Sequence, residues 1–146
     1  MCIRDSPYSS VEVKDGKLVV EGKEINFISE REPTGLPWGD MGIDIVLEAT
    51  GLFAGYDKSK AHLDAGAKRV VISAPVKDDP ADVEGVTGAT VLMGVNDASL
   101  SSSNITSNAS CTTNATSPLI AILKEKIGIE KALLSLIHIS EPTRPY

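Results

Sequence analysis

The residues best suited to chemistry lie in one short run, Asn108-Ala109-Ser110-Cys111-Thr112-Thr113-Asn114. Downstream, Leu119, Ile120, Leu123 and Ile127 follow one apolar helical stripe and Gly128 suits its stop. The run therefore sits where a helix begins, with Ser110 or Cys111 as the N-cap. Free backbone N–H groups and the positive end of the helix dipole at such a start favour a thiolate, the nucleophilic form of cysteine. The same amides suit an oxyanion or a phosphate, with the Ser110 and Thr112 hydroxyls flanking them. The plainer alternative is that Cys111 is a small buried hydrophobe; its polar neighbours argue for a reactive thiol. Pro118, about two turns into the helix, predicts a bend or a shortened helix because it removes one backbone hydrogen bond.

The elements that must position this run appear as changes of pattern along the chain. Val11-Glu12-Val13-Lys14 alternates, Asp15-Gly16 is a tight-turn dipeptide, and Lys17-Leu18-Val19-Val20 resumes a strand. Glu21-Gly22-Lys23 then turns into Glu24-Ile25-Asn26-Phe27-Ile28, which completes a small antiparallel meander. Glu32-Pro33-Thr34-Gly35-Leu36-Pro37-Trp38-Gly39 reads as loop, since its prolines cannot donate to a ladder and its glycines favour turns. Ile43-Asp44-Ile45-Val46-Leu47 is a compact strand, Tyr56 to Ala65 fits a short helix stopped by Gly66, and Arg69-Val70-Val71-Ile72 is a second compact strand. Two buried strands with a helical crossover should run parallel, with a right-handed connection. Their C-terminal ends then share one rim that carries Thr50-Gly51 and Ser73-Ala74-Pro75, the edge at which open α/β sheets bind ligands. Thr90-Val91-Leu92-Met93 reads as a further strand, and Asn96 to Ser110 as a polar stretch. His62 falls on the crossover helix, away from the rim, and reads as structural.

Composition narrows the classes of function. With 146 residues, 42% apolar and 23% charged, the chain suits one domain with a core and does not fit a disordered segment. Fourteen basic side chains against twenty acidic ones leave a net charge of −6, which repels a nucleic-acid backbone. The longest aliphatic run, Leu119 to Leu123, is far short of the ~20 residues that cross a bilayer. Cys2 and Cys111 are the only cysteines, so no secreted disulfide scaffold is encoded, and a reducing, cytoplasmic location is expected. The sequons at Asn104, Asn108 and Asn114 read as chance in such a chain.

Extended by one residue, Ser107-Asn108-Ala109-Ser110-Cys111-Thr112-Thr113-Asn114 resembles the active-site segment of the phosphorylating glyceraldehyde-3-phosphate dehydrogenases. The upstream landmarks occur in that family's order: Glu30-Arg31-Glu32-Pro33, Glu48-Ala49-Thr50-Gly51-Leu52-Phe53, Ala65-Gly66-Ala67-Lys68-Arg69 running on to Ser73-Ala74-Pro75, and Gly94-Val95-Asn96. The resemblance covers nearly all of residues 7–133. It implies an α/β fold in which residues 7–110 form a partial Rossmann-like NAD-binding domain, a parallel β-α-β unit plus antiparallel strands. Residues 111–133 then supply the nucleophile helix that opens the catalytic domain. It also implies a glycolytic oxidation of glyceraldehyde 3-phosphate with NAD and inorganic phosphate to 1,3-bisphosphoglycerate, with no metal and a homotetrameric parent. Cys111 would attack the aldehyde and carry the thioester that phosphate cleaves. By the same resemblance Arg31 lies beside the adenine end of NAD, Thr50, Gly51 and Ser73 face its ribose and nicotinamide, and Ser110 and Thr112 contact phosphate and substrate.

The sequence also departs from that pattern. His138 stands 27 residues after Cys111, the spacing of the family's general base. Its setting, Leu136-Ile137-His138-Ile139-Ser140-Glu141, differs from the family's Thr-Ile-His-Ala-Tyr-Thr. Ala115 replaces a second cysteine common in the family, which leaves the chemistry untouched. No G-x-G-x-x-G loop is present, so the pyrophosphate cradle is missing. An erythrose-4-phosphate dehydrogenase is the nearest enzymatic alternative, although Ile72-Ser73-Ala74-Pro75 and Glu48-Ala49-Thr50-Gly51 look more like the triose enzyme. A truncated remnant without activity is a second alternative. A cysteine hydrolase is a third, and the Thr50 and Ser73 rim argues against it.

Both ends read as foreign to the fold. The DNA string ATG TGT ATA AGA GAC AG encodes Met1 to Asp5 and starts a serine codon. Its reverse complement, CTG TCT CTT ATA CAC AT, encodes Leu134 to His138 and starts an isoleucine codon. One inverted element, resembling the transposon adapter of sequencing libraries, thus writes residues 1–6 and opens residues 134–146, and both are expected to be scars. The remaining 127 residues, 7–133, are then an internal piece of a longer protein.

Overall fold

A computed structural model describes residues 10–135 of the chain. The two presumed scars, apart from Leu134 and Ser135, lie outside the described residues, as do Cys2 and His138.

The described chain opens with the expected meander. Strands β1 (Val11–Lys14), β2 (Lys17–Val20) and β3 (Lys23–Ile25) pair antiparallel in the order β1-β2-β3. The registers Lys14↔Lys17 and Val20↔Lys23 leave two-residue turns, Asp15-Gly16 and Glu21-Gly22, with positive φ at both residues of each. That is the hairpin geometry whose twist matches the flanking strands. The third strand ends at Ile25, short of the expected Ile28.

A second sheet carries the site. Strand β4 (Ile45–Glu48) leads through helix α1 (Tyr56–Asp64) to β5 (Arg69–Ile72), followed by β6 (Gly88–Thr90), β7 (Ile105–Ser107) and helix α2 (Cys111–Lys126). The strand order is β4-β5-β7-β6 and every pairing is parallel, so the expected parallel β-α-β unit is present and two more strands extend it. Tyr56 of α1, Val70 and Ile72 of β5, and Ile105 of β7 form the buried centre. Period two explains which side chains join it: Val46 and Glu48 point to the α1 face, whereas Ile45 and Leu47 stay exposed on the other. Strand β4 is therefore buried on one face only, because among the described elements a helix covers only that side.

Two strands differ from the sequence reading. The strand expected at Thr90–Met93 forms earlier, as β6, while Val91 only donates one further hydrogen bond to Ser107 O. Strand β7 lies inside the stretch read as polar connection, yet all three of its residues are buried. It tolerates this because its hydroxyls find partners, as where Ser107 Oγ donates to Ala74 O at 2.7 Å. Helix α2 starts where expected and runs 16 residues through Pro118 without shortening. Of its apolar stripe, Leu119, Ile120 and Ile127 are exposed and Leu123 is half-buried.

The loop before β4 is tied to the end of α1 at a backbone contact. Gly66 has φ +102°, and a Cβ added there would lie 2.6 Å from both N and Cα of Gly39. Gly39 N donates to Ala65 O at 3.0 Å across the same contact. Gly66→Ala is therefore expected to destabilise the chain by roughly 2–4 kcal/mol, since it adds left-handed strain to a backbone clash that no rotamer relieves. The urea midpoint, followed by the fluorescence of the only tryptophan, Trp38, measures this; an unchanged midpoint would show that the two glycines do not meet.

Candidate active site

Parallel pairing decides which residues meet. Strands β4, β5 and β7 end on the same edge, so Thr50-Gly51, Ser73-Ala74 and Asn108-Ala109-Ser110-Cys111 follow from one rim. Backbone bonds stitch it together: Ser73 N donates to Glu48 O and Asn108 N to Ile72 O, each at 2.9 Å. The sequence placed Thr50 and Ser73 together; strand β7 adds the cysteine run to the same edge.

Ser110 caps α2, as expected. Its Oγ accepts from Thr113 N at 3.1 Å and shares hydrogen bonds with Thr112 Oγ1 at 2.9 Å and Thr113 Oγ1 at 2.8 Å. Asn114 N reaches Ser110 O at 3.0 Å. Asn114 Nδ2 donates to Asn108 O and Ser110 O, which ties the turn before the helix to its first coil. Ala109 completes that turn with φ +58°, a left-handed conformation rare outside glycine and asparagine. Among the described residues, the amides of Cys111 and Thr112 donate to no protein acceptor, and the Cys111 thiol is exposed and unbridged. An exposed thiol thus stands beside two free donors at a helix start, an arrangement able to bind an oxyanion next to the thiol.

On the other part of the rim, Thr50 and Ser73 are exposed, and Gly51, with φ +75°, has open space where a Cβ would be. The Thr50 turn is anchored from beneath. The buried carboxylate of Glu48 accepts through Oε1 from Thr50 N at 2.8 Å and, in a shorter bond, from Thr50 Oγ1. Its Oε2 lies 3.1 Å from His62 Nε2. Burial pushes the Glu48 carboxyl up, but hydrogen bonds from the Thr50 side chain, His62 and the Thr50 amide outweigh it and hold the group below its ordinary value. His62 is buried and structural, as expected, yet it is joined to the rim through Glu48. The sequence reading gave Glu48 no role, although its strand phase, two residues after the buried Val46, puts it on the core face.

Arg31 stands apart from this constellation. It lies in the loop before the three-residue helical turn Pro33–Gly35, is exposed, and makes no side-chain ion pair among the described residues. A dinucleotide can be tested against this donor set: the neutral hydroxyl and backbone groups at Thr50, Gly51 and Ser73 fit a ribose or a carboxamide. The rim segments 50–51, 73–75 and 108–111 bring no basic side chain and no glycine-rich loop for the pyrophosphate. The residues present therefore fit one end of NAD.

A parallel sheet that ends on an open polar rim, with an exposed cysteine at the next helix start, defines an α/β protein of the Rossmann, dinucleotide-binding type. Residues 5–56 match the family model described as glyceraldehyde 3-phosphate dehydrogenase, NAD binding domain, and residues 110–145 match that of the C-terminal domain of the same enzyme. The glyceraldehyde-3-phosphate dehydrogenase of Clostridium acetobutylicum is 46% identical over 129 residues, covering 88% of this chain and 36% of the relative. The cytosolic enzyme of Gracilaria gracilis is 44% identical over 135 residues, 92% of this chain and 38% of the relative. That of Lactarius deterrimus is also 44% identical over 135 residues, 92% of this chain and 44% of the relative. The chain belongs to the glyceraldehyde-3-phosphate dehydrogenase family, whose matched domain binds NAD, and it spans less than half the length of these relatives.

Proposed function

We propose that these residues serve, within a longer parent polypeptide, the oxidation of glyceraldehyde 3-phosphate with NAD and inorganic phosphate to 1,3-bisphosphoglycerate. The observation that carries this reading is the exposed Cys111 thiol beside the free amides of Cys111 and Thr112, on the rim that also bears Thr50 and Ser73. The Cys111 thiolate attacks the aldehyde carbon, and the two amides hold the oxygen as it gains charge. NAD, when bound, supplies the hydride acceptor for the oxidation. The acyl group then rests on sulfur, and attack by phosphate expels the Cys111 thiolate to give the acyl phosphate. Ser110 and Thr112 flank the reacting carbon, Thr50, Gly51 and Ser73 receive the ribose and nicotinamide end, and Arg31 the adenine end. His138, outside the described residues, is assigned as the base on its spacing from Cys111.

In this reading residues 7–110 belong to the cofactor-binding part and 111–133 open the catalytic part, a division supported by the C-terminal domain model, whose match starts at residue 110. The parent acts in the cytoplasm as a homotetramer. No helix among the described residues is long and apolar enough to cross a membrane.

The test is NADH formation by a polypeptide of the relatives' length that carries these residues. Glyceraldehyde 3-phosphate should support turnover only with inorganic phosphate present, and with higher kcat/KM than erythrose 4-phosphate. The reverse preference would identify the tetrose enzyme, and turnover without phosphate would overturn the acyl-phosphate step. The 146-residue chain by itself is expected to turn over far below a typical ~10 s⁻¹, because it has no glycine-rich cradle for the pyrophosphate.

A further inference from the structure

We infer that Trp38, His62 and Glu48 form a hydrogen-bonded positioning chain that sets the Thr50-Gly51 turn and leaves the Thr50 hydroxyl an acceptor towards whatever binds on the rim. The inference rests on the cofactor reading above only for the identity of that ligand.

The direction of each bond follows from what its atoms are able to do. An indole N–H only donates, so the 3.2 Å contact from Trp38 Nε1 to His62 Nδ1 requires a lone pair on Nδ1. The imidazole proton of neutral His62 then sits on Nε2 and is donated to Glu48 Oε2, 3.1 Å away. The other carboxylate oxygen takes both donors of Thr50, its amide and its hydroxyl. With its proton spent on Glu48, Thr50 Oγ1 accepts from Leu52 N at 3.1 Å and keeps one lone pair free. It can therefore receive a donor such as a ribose hydroxyl or a carboxamide N–H, and it cannot donate to a phosphate oxygen.

Burial makes the chain more than surface decoration. Glu48 is 3% exposed and His62 4%, and the rings of Trp38 and Phe53 stand 6.4 and 6.3 Å from the imidazole. No buried side-chain polar atom among the described residues is left without a partner. Each link reaches a different element: Trp38 the loop before β4, His62 the crossover helix, Glu48 the end of β4, and Thr50 the rim. Apolar side chains of similar volume would fill this space at no greater cost, but they would leave the Thr50 donors unheld. These are positioning residues; none of them touches the reacting atoms.

Heteronuclear NMR on the 146-residue chain tests this, with His138→Gln leaving His62 as the only imidazole. The His62 nitrogens should report a neutral ring protonated at Nε2, and the Thr50 amide proton should resonate far downfield. Trp38→Phe, which removes one half-buried donor, should mix the two tautomers and move the Thr50 amide. Glu48→Gln should move both further, because one amide group cannot accept from Thr50 and His62 together, and should weaken NAD binding about tenfold. A His62 ring protonated at Nδ1, or a Thr50 amide unmoved by either substitution, overturns the positioning chain. In a polypeptide of the relatives' length, NAD that perturbs no rim resonance overturns the cofactor reading instead. Trp38→Phe keeps the test open if Glu48→Gln does not fold.

Discussion

Cys111→Ser in the parent enzyme is expected to lower NADH formation by at least about 10⁴-fold, with the fold unchanged. Cys111 is exposed and unbridged, so the substitution removes one atom's chemistry and little else. Serine places an oxygen beside the same free amides of residues 111 and 112, so the oxyanion site survives. What is lost is the nucleophile, since a hydroxyl at neutral pH is almost wholly protonated, and the leaving group, since an alkoxide is expelled from an ester far less readily than a thiolate from a thioester. Steady-state kcat with saturating substrates measures the loss, and mass spectrometry of the quenched enzyme should find an acyl adduct on Cys111 that the variant lacks. Retention of more than about a hundredth of the activity would remove Cys111 from the covalent role.

The same neighbourhood shows what a sequence makes legible. The helix start was readable because capping is local: Ser110, the polar run and the downstream stripe lie within a few turns of one another, and the cap forms as those residues dictate. The β-α-β unit was readable for a similar reason, with Gly66 ending α1 next to the compact strand Arg69–Ile72. Strand β7 was not, because Asn104, Thr106 and Ser107 are strand-compatible only once other segments supply partners. Asn104 is held by the Thr87 and Gly85 backbone and Ser107 by Ala74 O, none of them near in sequence. That strand is also what brings Cys111 to the Thr50 and Ser73 rim, so the sequence showed the site's parts more clearly than their meeting. Glu48 had a signal that period two could have found, a carboxylate on the buried face of β4. Trp38, the partner of His62, had none, since it lies 24 positions away in a loop rich in proline and glycine. The α2 stripe shows the converse: period 3.6 marks an apolar face, and three of its four residues are exposed.

Removing the Glu48 carboxylate should be the costliest single change in the described fold. Glu48→Leu leaves the Thr50 amide, the Thr50 hydroxyl and His62 Nε2–H facing an apolar side chain in a buried site, and it is expected to destabilise the chain by about 3–5 kcal/mol. The pH dependence has a definite sign. The folded-state value of Glu48 lies below the ordinary one, so its contribution is fully present above the ordinary carboxylate value and is lost as pH falls through the lower, folded-state value. Stability of the unaltered chain should therefore decline on acidification below the usual carboxylate range, and Glu48→Gln should flatten part of that decline. Asp78 also contributes: burial pushes it up, but backbone amides led by that of Asp57 at the start of α1 hold it below its ordinary value, and Asp78→Asn isolates its share. A double variant, Glu48→Leu with His62→Leu, should recover part of the loss, because it removes the stranded imidazole donor while the two Thr50 donors remain. Urea unfolding across the acid range measures the unaltered chain and its four variants. If Glu48→Leu proved neutral at neutral pH and kept the original acid profile, the carboxylate would not be holding the rim.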